Sequence, residues 1–134
     1  MKGHARNLMT ERVTSVAPDD PLEAIAATLV GEAISGVPVV DTSEKVVGMV
    51  TESDIIIALL RQDAPDTPAR TLMSAPAITI DEFAPTDEVI ALLRERRIHH
   101  LPVVRAGKLV GIIAPSDVLR YFVQRDLEPP PEAG

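Results

Sequence analysis

Three shortages narrow the reading of this 134-residue sequence before any motif is considered. It has no cysteine, which excludes a disulfide framework, a thiolate metal site and a cysteine nucleophile. Aromatics make up 2% of it, as Phe83, Tyr121 and Phe122 with no Trp, so it lacks a stacking platform for single-stranded RNA or DNA. Basic residues are outnumbered, 13 Lys and Arg against 20 Asp and Glu, and a net charge of −7 is not the footprint of a nucleic-acid binder. No apolar run approaches the ~20 residues of a membrane span. The stretch from Met1 to Arg6 leads into no apolar segment of the secretory kind. These absences leave a soluble, cytoplasmic α/β protein, with neither a membrane nor a nucleic-acid polymer as partner.

What is present is repetition, on a hydrophobic content of 46% that is almost wholly aliphatic. A shift of about 64 residues lays Leu8-Met9-Thr10 on Leu72-Met73-Ser74 and Val37-Pro38-Val39-Val40 on Leu101-Pro102-Val103-Val104. After a one-residue deletion in the turn around Asp41–Glu44, Lys45 to Val50 lies on Lys108 to Ile113, and Ser53-Asp54 on Ser116-Asp117. A deletion confined to a turn is what a duplication tolerates.

Each copy reads as β-α-β-β-α. In the first, Val13–Val16 is a short strand, and Asp20 caps a helix that has Pro21 in its first turn. Leu22, Ile25, Ala26, Leu29, Val30 and Ala33 form its apolar stripe, and Gly36 marks its exit. Strands Val37–Val40 and Val46–Val50 flank a polar turn, and a second helix runs from Glu52 to Arg61. The second copy has strands near Ala77–Ile80, Leu101–Val104 and Leu109–Ile113, with helices starting near Pro85 and Pro115. Ala84 and Ala114 stand where capping residues would, so these starts are weaker. Residues 62–70, with two prolines, read as a linker. Residues 126–134 read as a mobile tail. A half of ~60 residues buries too little alone, so the two copies should pack as a pseudo-twofold pair with two related crevices.

Each copy resembles a CBS motif (cystathionine β-synthase type), and the tandem resembles a stand-alone Bateman module. The resemblance rests on Leu8-Met9-Thr10, Gly36-Val37-Pro38-Val39-Val40 and Gly48-Met49-Val50-Thr51-Glu52-Ser53-Asp54 in the first copy. In the second it rests on Leu72-Met73-Ser74, Ile98-His99-His100-Leu101-Pro102-Val103-Val104 and Gly111-Ile112-Ile113-Ala114-Pro115-Ser116-Asp117. It covers repeats at 7–61 and 71–125. It implies a regulatory fold that binds an adenosine-containing ligand (AMP, ADP, ATP or S-adenosylmethionine) between the repeats. No cofactor is required, and no enzymatic activity is implied. It also implies a flat homodimer, for which Ile55, Ile56, Leu59, Val118, Leu119 and Phe122 offer apolar helix faces. With no effector domain in view, the output passes to a separate enzyme or transporter, or through oligomer geometry.

By the same resemblance, Asp54 and Asp117 take the ribose hydroxyls, and Thr51, Ser53 and Ser116 supply hydroxyl groups nearby. Ala114 departs from the hydroxyl position in the second copy. Thr51-Glu52-Ser53-Asp54 is equally a capping box, in which the acid serves the helix rather than a ligand. Ala114 breaks that box while Asp117 remains, which favours a ligand role there. Gly48 and Gly111 mark a close approach, by a packed segment or by a base. Met49 and Ile112 follow them and would face either. Arg94 to Lys108 carries five cations against Glu95. Arg94 and Arg96 suit a helix C-terminus. Arg97, His99 and His100 precede a strand that in the family borders the nucleotide, and would neutralise phosphate. Their counterparts Ser35 and Gly36 carry no charge, so the two crevices are not equivalent. Adjacent histidines on a strand face opposite ways, which argues against a metal site. No nucleophile, base and orienting acid stand out for catalysis. The alternatives are a ligand-free structural or dimerisation module and, more remotely, an enzyme acting on nucleotides.

Overall fold

In the computed structural model, residues 1–125 are described, and the tail expected at 126–134 lies outside them. The core begins with the two runs of valine and proline. β1 (Gly36–Val40) pairs antiparallel with β2 (Val46–Thr51), and β4 (Leu101–Arg105) pairs antiparallel with β5 (Lys108–Ile113). Val37 and Val39 are fully buried, as are Leu101 and Val103. Each hairpin shifts register at the same place, between Val39 and Val40 and between Val103 and Val104. Asp41 organises the first turn, its Oδ1 accepting from the backbone N–H of Ser43 (2.8 Å) and Lys45 (3.0 Å). The two hairpin tips meet at a bridge between Lys45 and Lys108.

Helices α2 (Leu22–Glu32) and α3 (Glu52–Leu60) cover the first hairpin; α5 (Thr86–Glu95) and α6 (Pro115–Arg125) cover the second. The starts of α2 and α5 differ from the expected caps. Pro21 and Pro85 are themselves the N-cap residues, in extended conformation, and neither start has a side-chain cap. Asp20 instead accepts from the Ala17 N–H. The free first-turn donors of α2 are taken by the linker: Leu22 N–H donates to Thr67 O and Glu23 N–H to Pro65 O. The exit of α2 is Ala33 in the left-handed region (φ 54°), not Gly36, which already opens β1.

The two expected first strands are mostly extended chain without ladder partners. Of Val13–Val16, only Val16 bridges, to Val39, and of Ala77–Ile80 only Ile80 enters β3 (Ile80–Asp81), parallel to β4. The expected linker also ends early, because Ala69 begins the short α4 (Ala69–Leu72).

The largest departure concerns which half each segment serves. The short α1 (Ala5–Leu8) buries Ala5 and Leu8 among Ile80, Val89, Leu101, Val103 and Ile113 of the second copy. Conversely α4 buries Ala69 and Leu72 among Ile25, Val37, Val39 and Val50 of the first. The backbone repeats the exchange. Ala5 and Arg6 N–H donate to Ala84 and Glu82 carbonyls, as Ala69 and Arg70 N–H donate to those of Asp20 and Pro18. The repeats thus trade their leading segments, and each core is built from both copies.

This exchange explains the strand glycines. A Cβ at Gly48 would stand 2.9 Å from Ser74 O and closer still to the Met73 side chain. At Gly111 it would strike Met9. The close approach is therefore made by the traded segments.

Candidate functional site

Because the repeats cross near their pseudo-twofold axis, the end of β2 and the start of α3 face the approach to β4. A cleft of about 430 Å³ opens between them, within the usual range for small-molecule sites. From the first repeat it takes Ser35, Met49, Thr51, Glu52 and Ser53; from the second, Arg97, Ile98, His99 and His100. A stretch before β3 completes it with Ser74, Pro76, Ala77 and Ile78. Another hollow, of about 550 Å³, lies among Met1, Lys2, Tyr121 and Arg125 and holds none of the candidate residues.

Seven of the twelve residues expected at a site therefore line one cleft: Ser35, Met49, Thr51, Ser53, Arg97, His99 and His100. Gly36 lies just beneath it, buried under the imidazole of His100. Asp54 stands behind Thr51, at the third position of α3. Ile112, Ser116 and Asp117 do not line this cleft. Glu52, Ser74, Pro76, Ala77, Ile78 and Ile98 are lining residues that the sequence reading missed. Ser74 could have been found as the partner of Thr10 in the repeat, whereas the extended 75–78 segment carries no motif.

The capping box at α3 is fully formed. Thr51 N–H (2.8 Å) and Thr51 Oγ1 (3.0 Å) both donate to Asp54 Oδ2, and Asp54 N–H reaches back to Thr51 Oγ1 (3.4 Å). Among the described residues nothing donates to Asp54 Oδ1, and the residue is half-buried. Asp117 is different. Its Oδ2 accepts from Ala114 N–H (2.7 Å), while its Oδ1 accepts from Thr10 Oγ1 (3.1 Å) and Arg120 Nη1 (2.9 Å). It is 6% exposed, with both oxygens engaged by the protein itself. The lost hydroxyl at position 114 is thus offset by Thr10, delivered by the traded segment.

His100 joins the repeats across the axis. Its Nε2 shares a 2.8 Å hydrogen bond with Ser35 Oγ. Its ring packs so closely on Gly36 that a Cβ there would lie 3.1 Å away. Burial is the main influence holding its pKa below the ordinary imidazole value. The neighbouring His99 adds to that effect, and Glu52 opposes it. Arg97 lines the cleft in the left-handed region (φ 51°), the conformation that Ala33 adopts at the matching helix exit. That geometry belongs to the fold and not to Arg97 alone. Among the described residues no cluster of three potential ligands could hold a metal ion.

Fold and cleft define a class of protein: a paired-repeat module whose binding space lies between the repeats. The chain belongs to the CBS domain family, whose profile matches residues 5–61 and 69–124. An uncharacterized protein of Methanopyrus kandleri is 31% identical over 111 residues, covering 81% of this chain and 57% of that protein. Among solved structures, CBSX2 in complex with AMP has a TM-score of 0.83 and 26% identity, covering 92% of this chain and 98% of that one. The CBS domain pair of protein MJ0100, in complex with 5-methylthioadenosine and S-adenosyl-L-methionine, has a TM-score of 0.81 and 25% identity. It covers 93% of this chain and 99% of that one.

Proposed function

We propose that this chain is a regulatory module that takes an adenosine-containing ligand into the cleft between its repeats. The observation that carries the reading is the cleft lined from both repeats, with Asp54 directly behind Thr51, its Oδ2 committed to Thr51 and its Oδ1 without a donor among the described residues. A ribose presents two hydroxyl donors to such an oxygen. Met49, Pro76 and Ile78 offer apolar surface to the base, and Arg97, His99 and His100 supply donors for an anionic tail. Ser53 and Ser35 add hydroxyls at the rim. Asp117, with Ser116 and Ile112 beside it, is buried with both oxygens engaged by the protein, so one ligand binds per chain, on the Asp54 side. Support comes from two neighbours of the same fold that are complexes with AMP and with S-adenosyl-L-methionine.

Occupancy acts by population shift, favouring one arrangement of the repeats over another. The chain works by binding and not by catalysis, in the cytoplasm, and its output passes to a separate enzyme or transporter. A second copy is the natural neighbour for the apolar outer faces of α3 and α6. There Ile56, Leu59, Leu119 and Phe122 are exposed, together with Ile57, Leu60 and Val123. Two residues expected on that face belong elsewhere: Ile55 is buried in the core, and Val118 packs against the core of the second copy.

Thermal unfolding with AMP, ADP, ATP and S-adenosylmethionine tests the reading. A ligand at about 100 times its Kd stabilises by about 2.7 kcal/mol. A melting temperature that no ligand raises at millimolar concentration overturns the reading. It leaves the ligand-free dimerisation module, which a concentration-dependent oligomer would then identify.

A further inference from the structure

His100 sits where the two repeats meet, and its counterpart by the internal repeat is Gly36, the residue it packs against. A ring on one side of a pseudo-twofold axis needs the absence of a side chain on the other. The pair therefore breaks the symmetry at a point where a residue touches its own counterpart. The imidazole is held by Ser35 at 2.8 Å and also lines the cleft.

The charged and titratable groups facing it are few. His99 lies beside it, Arg97 lines the same wall, and Glu52 faces it from the start of α3. Neither β1 nor the 74–78 segment brings a titratable side chain to the cleft. A proton on His100 is opposed by burial and by His99 and favoured by Glu52. An anionic group entering the cleft reverses that balance, because it places negative charge beside the ring. The bond to Ser35 survives either way, since the hydroxyl can donate to a neutral imidazole nitrogen or accept from a protonated one.

We propose that His100 is the charge-selecting residue of the cleft, taking up a proton as an anionic ligand enters, so that the module senses ligand and pH together. This inference rests on the adenosine-ligand reading above and names its regulation. By linkage, a ligand with an anionic tail binds more tightly as pH falls through the imidazole range, whereas an uncharged nucleoside does not. For folding stability the sign is the opposite. The neutral imidazole contributes stability that is present above the ordinary imidazole pKa and lost as pH falls through the depressed folded value.

The test uses AMP and adenosine as paired probes on the whole chain. NMR titration of the His100 ring is expected to show its pKa rising on saturation with AMP and staying put with adenosine. Calorimetry between pH 5.5 and 8 is expected to show AMP affinity gaining about tenfold for each unit of that rise. The gain is read relative to His100→Gln, which keeps a hydrogen-bonding partner for Ser35 but cannot titrate. Ionisation of the phosphate itself is common to both proteins and cancels. Binding of both probes with the His100 titration unmoved, or with equal pH slopes in the two proteins, overturns the proposal. Failure of both probes to bind at any pH overturns the adenosine-ligand reading, and this inference with it.

Discussion

Asp54 and Asp117 occupy the same position of two copies of one motif, yet they do different work. Two substitutions between the copies account for it. Where Thr51 presents a hydroxyl, the second copy has Ala114; where Ile57 is apolar, the second copy has Arg120. Without the threonine, Asp117 turns to Thr10, and Arg120 Nη1 donates to the same oxygen at 2.9 Å. With the threonine and no arginine, Asp54 keeps one oxygen free. Duplication supplied two carboxylates at equivalent positions. The choice of neighbours around one carboxylate leaves an open oxygen in the first copy and makes the second a clasp between the traded segment and α6.

The largest expected effect that tests this contrast is on binding. Asp54→Ala should weaken adenosine-ligand affinity by ten- to a hundredfold, as loss of a hydrogen bond to a charged acceptor requires, and should also cost about 0.5–2 kcal/mol of stability through its half of the capping box. Asp117→Ala should leave affinity intact while lowering stability by about 1–3 kcal/mol in denaturant titration. A ligand lost in Asp117→Ala and kept in Asp54→Ala would invert the assignment.

Next in size is a conversion. Ala114→Thr combined with Arg120→Ile gives the second crevice the neighbours of the first. Calorimetric stoichiometry should move from one ligand per chain toward two; an unchanged stoichiometry would mean that more than these two positions separates the crevices. The glycines follow. Gly48→Ala drives a methyl against the Ser74 carbonyl, and should cost about 1–3 kcal/mol. Gly111→Ala meets Met9 as far back as its backbone-fixed Cβ, at 2.9 Å, and should cost a similar amount. A much smaller loss there would mean that the Met9 segment yields where the Ser74 segment does not.

The smallest effect concerns acid. Glu82, 2% exposed, pairs in a fork with Arg105 at 2.6 and 2.8 Å, and this bond holds its pKa below the ordinary carboxylate value. Its contribution is present above the unfolded carboxylate's pKa and is lost as pH falls through the lowered folded one. The first copy has Pro18 and Asp41 in the corresponding places and no such pair. Glu82→Gln should therefore flatten the acid limb of the stability profile, and an unaltered limb would mean that this pair does not set it.

Much of this was legible in the residues. The hairpins follow from apolar runs around polar turns, and Thr51 to Asp54 announces its capping box. Seven expected residues line one cleft, because short motifs on either side of a strand end stay together whatever the rest does. Other features were not legible. Val13–Val16 has strand composition but finds a ladder partner only at Val16, since pairing depends on a distant edge. The cap of α2 lies in Thr67 and Pro65 carbonyls some forty residues away. Asp117 looked freed by Ala114, but its new partner Thr10 sits 107 positions distant. Periodicity can say that Ala5 and Leu8 are apolar, but not whose core receives them.

That exchange of leading segments has a consequence for the copy taken singly. A lone 64-residue unit would carry an arm with no groove of its own to fill and a groove with no arm of its own to fill it. Arm exchange with a second unit would satisfy both, so cutting the chain near Ala64 should yield complementary fragments that recover structure on mixing. The peptide between the halves then acts chiefly as a tether: besides capping α2 through Pro65 and Thr67, it raises local concentration and fixes which arm meets which groove.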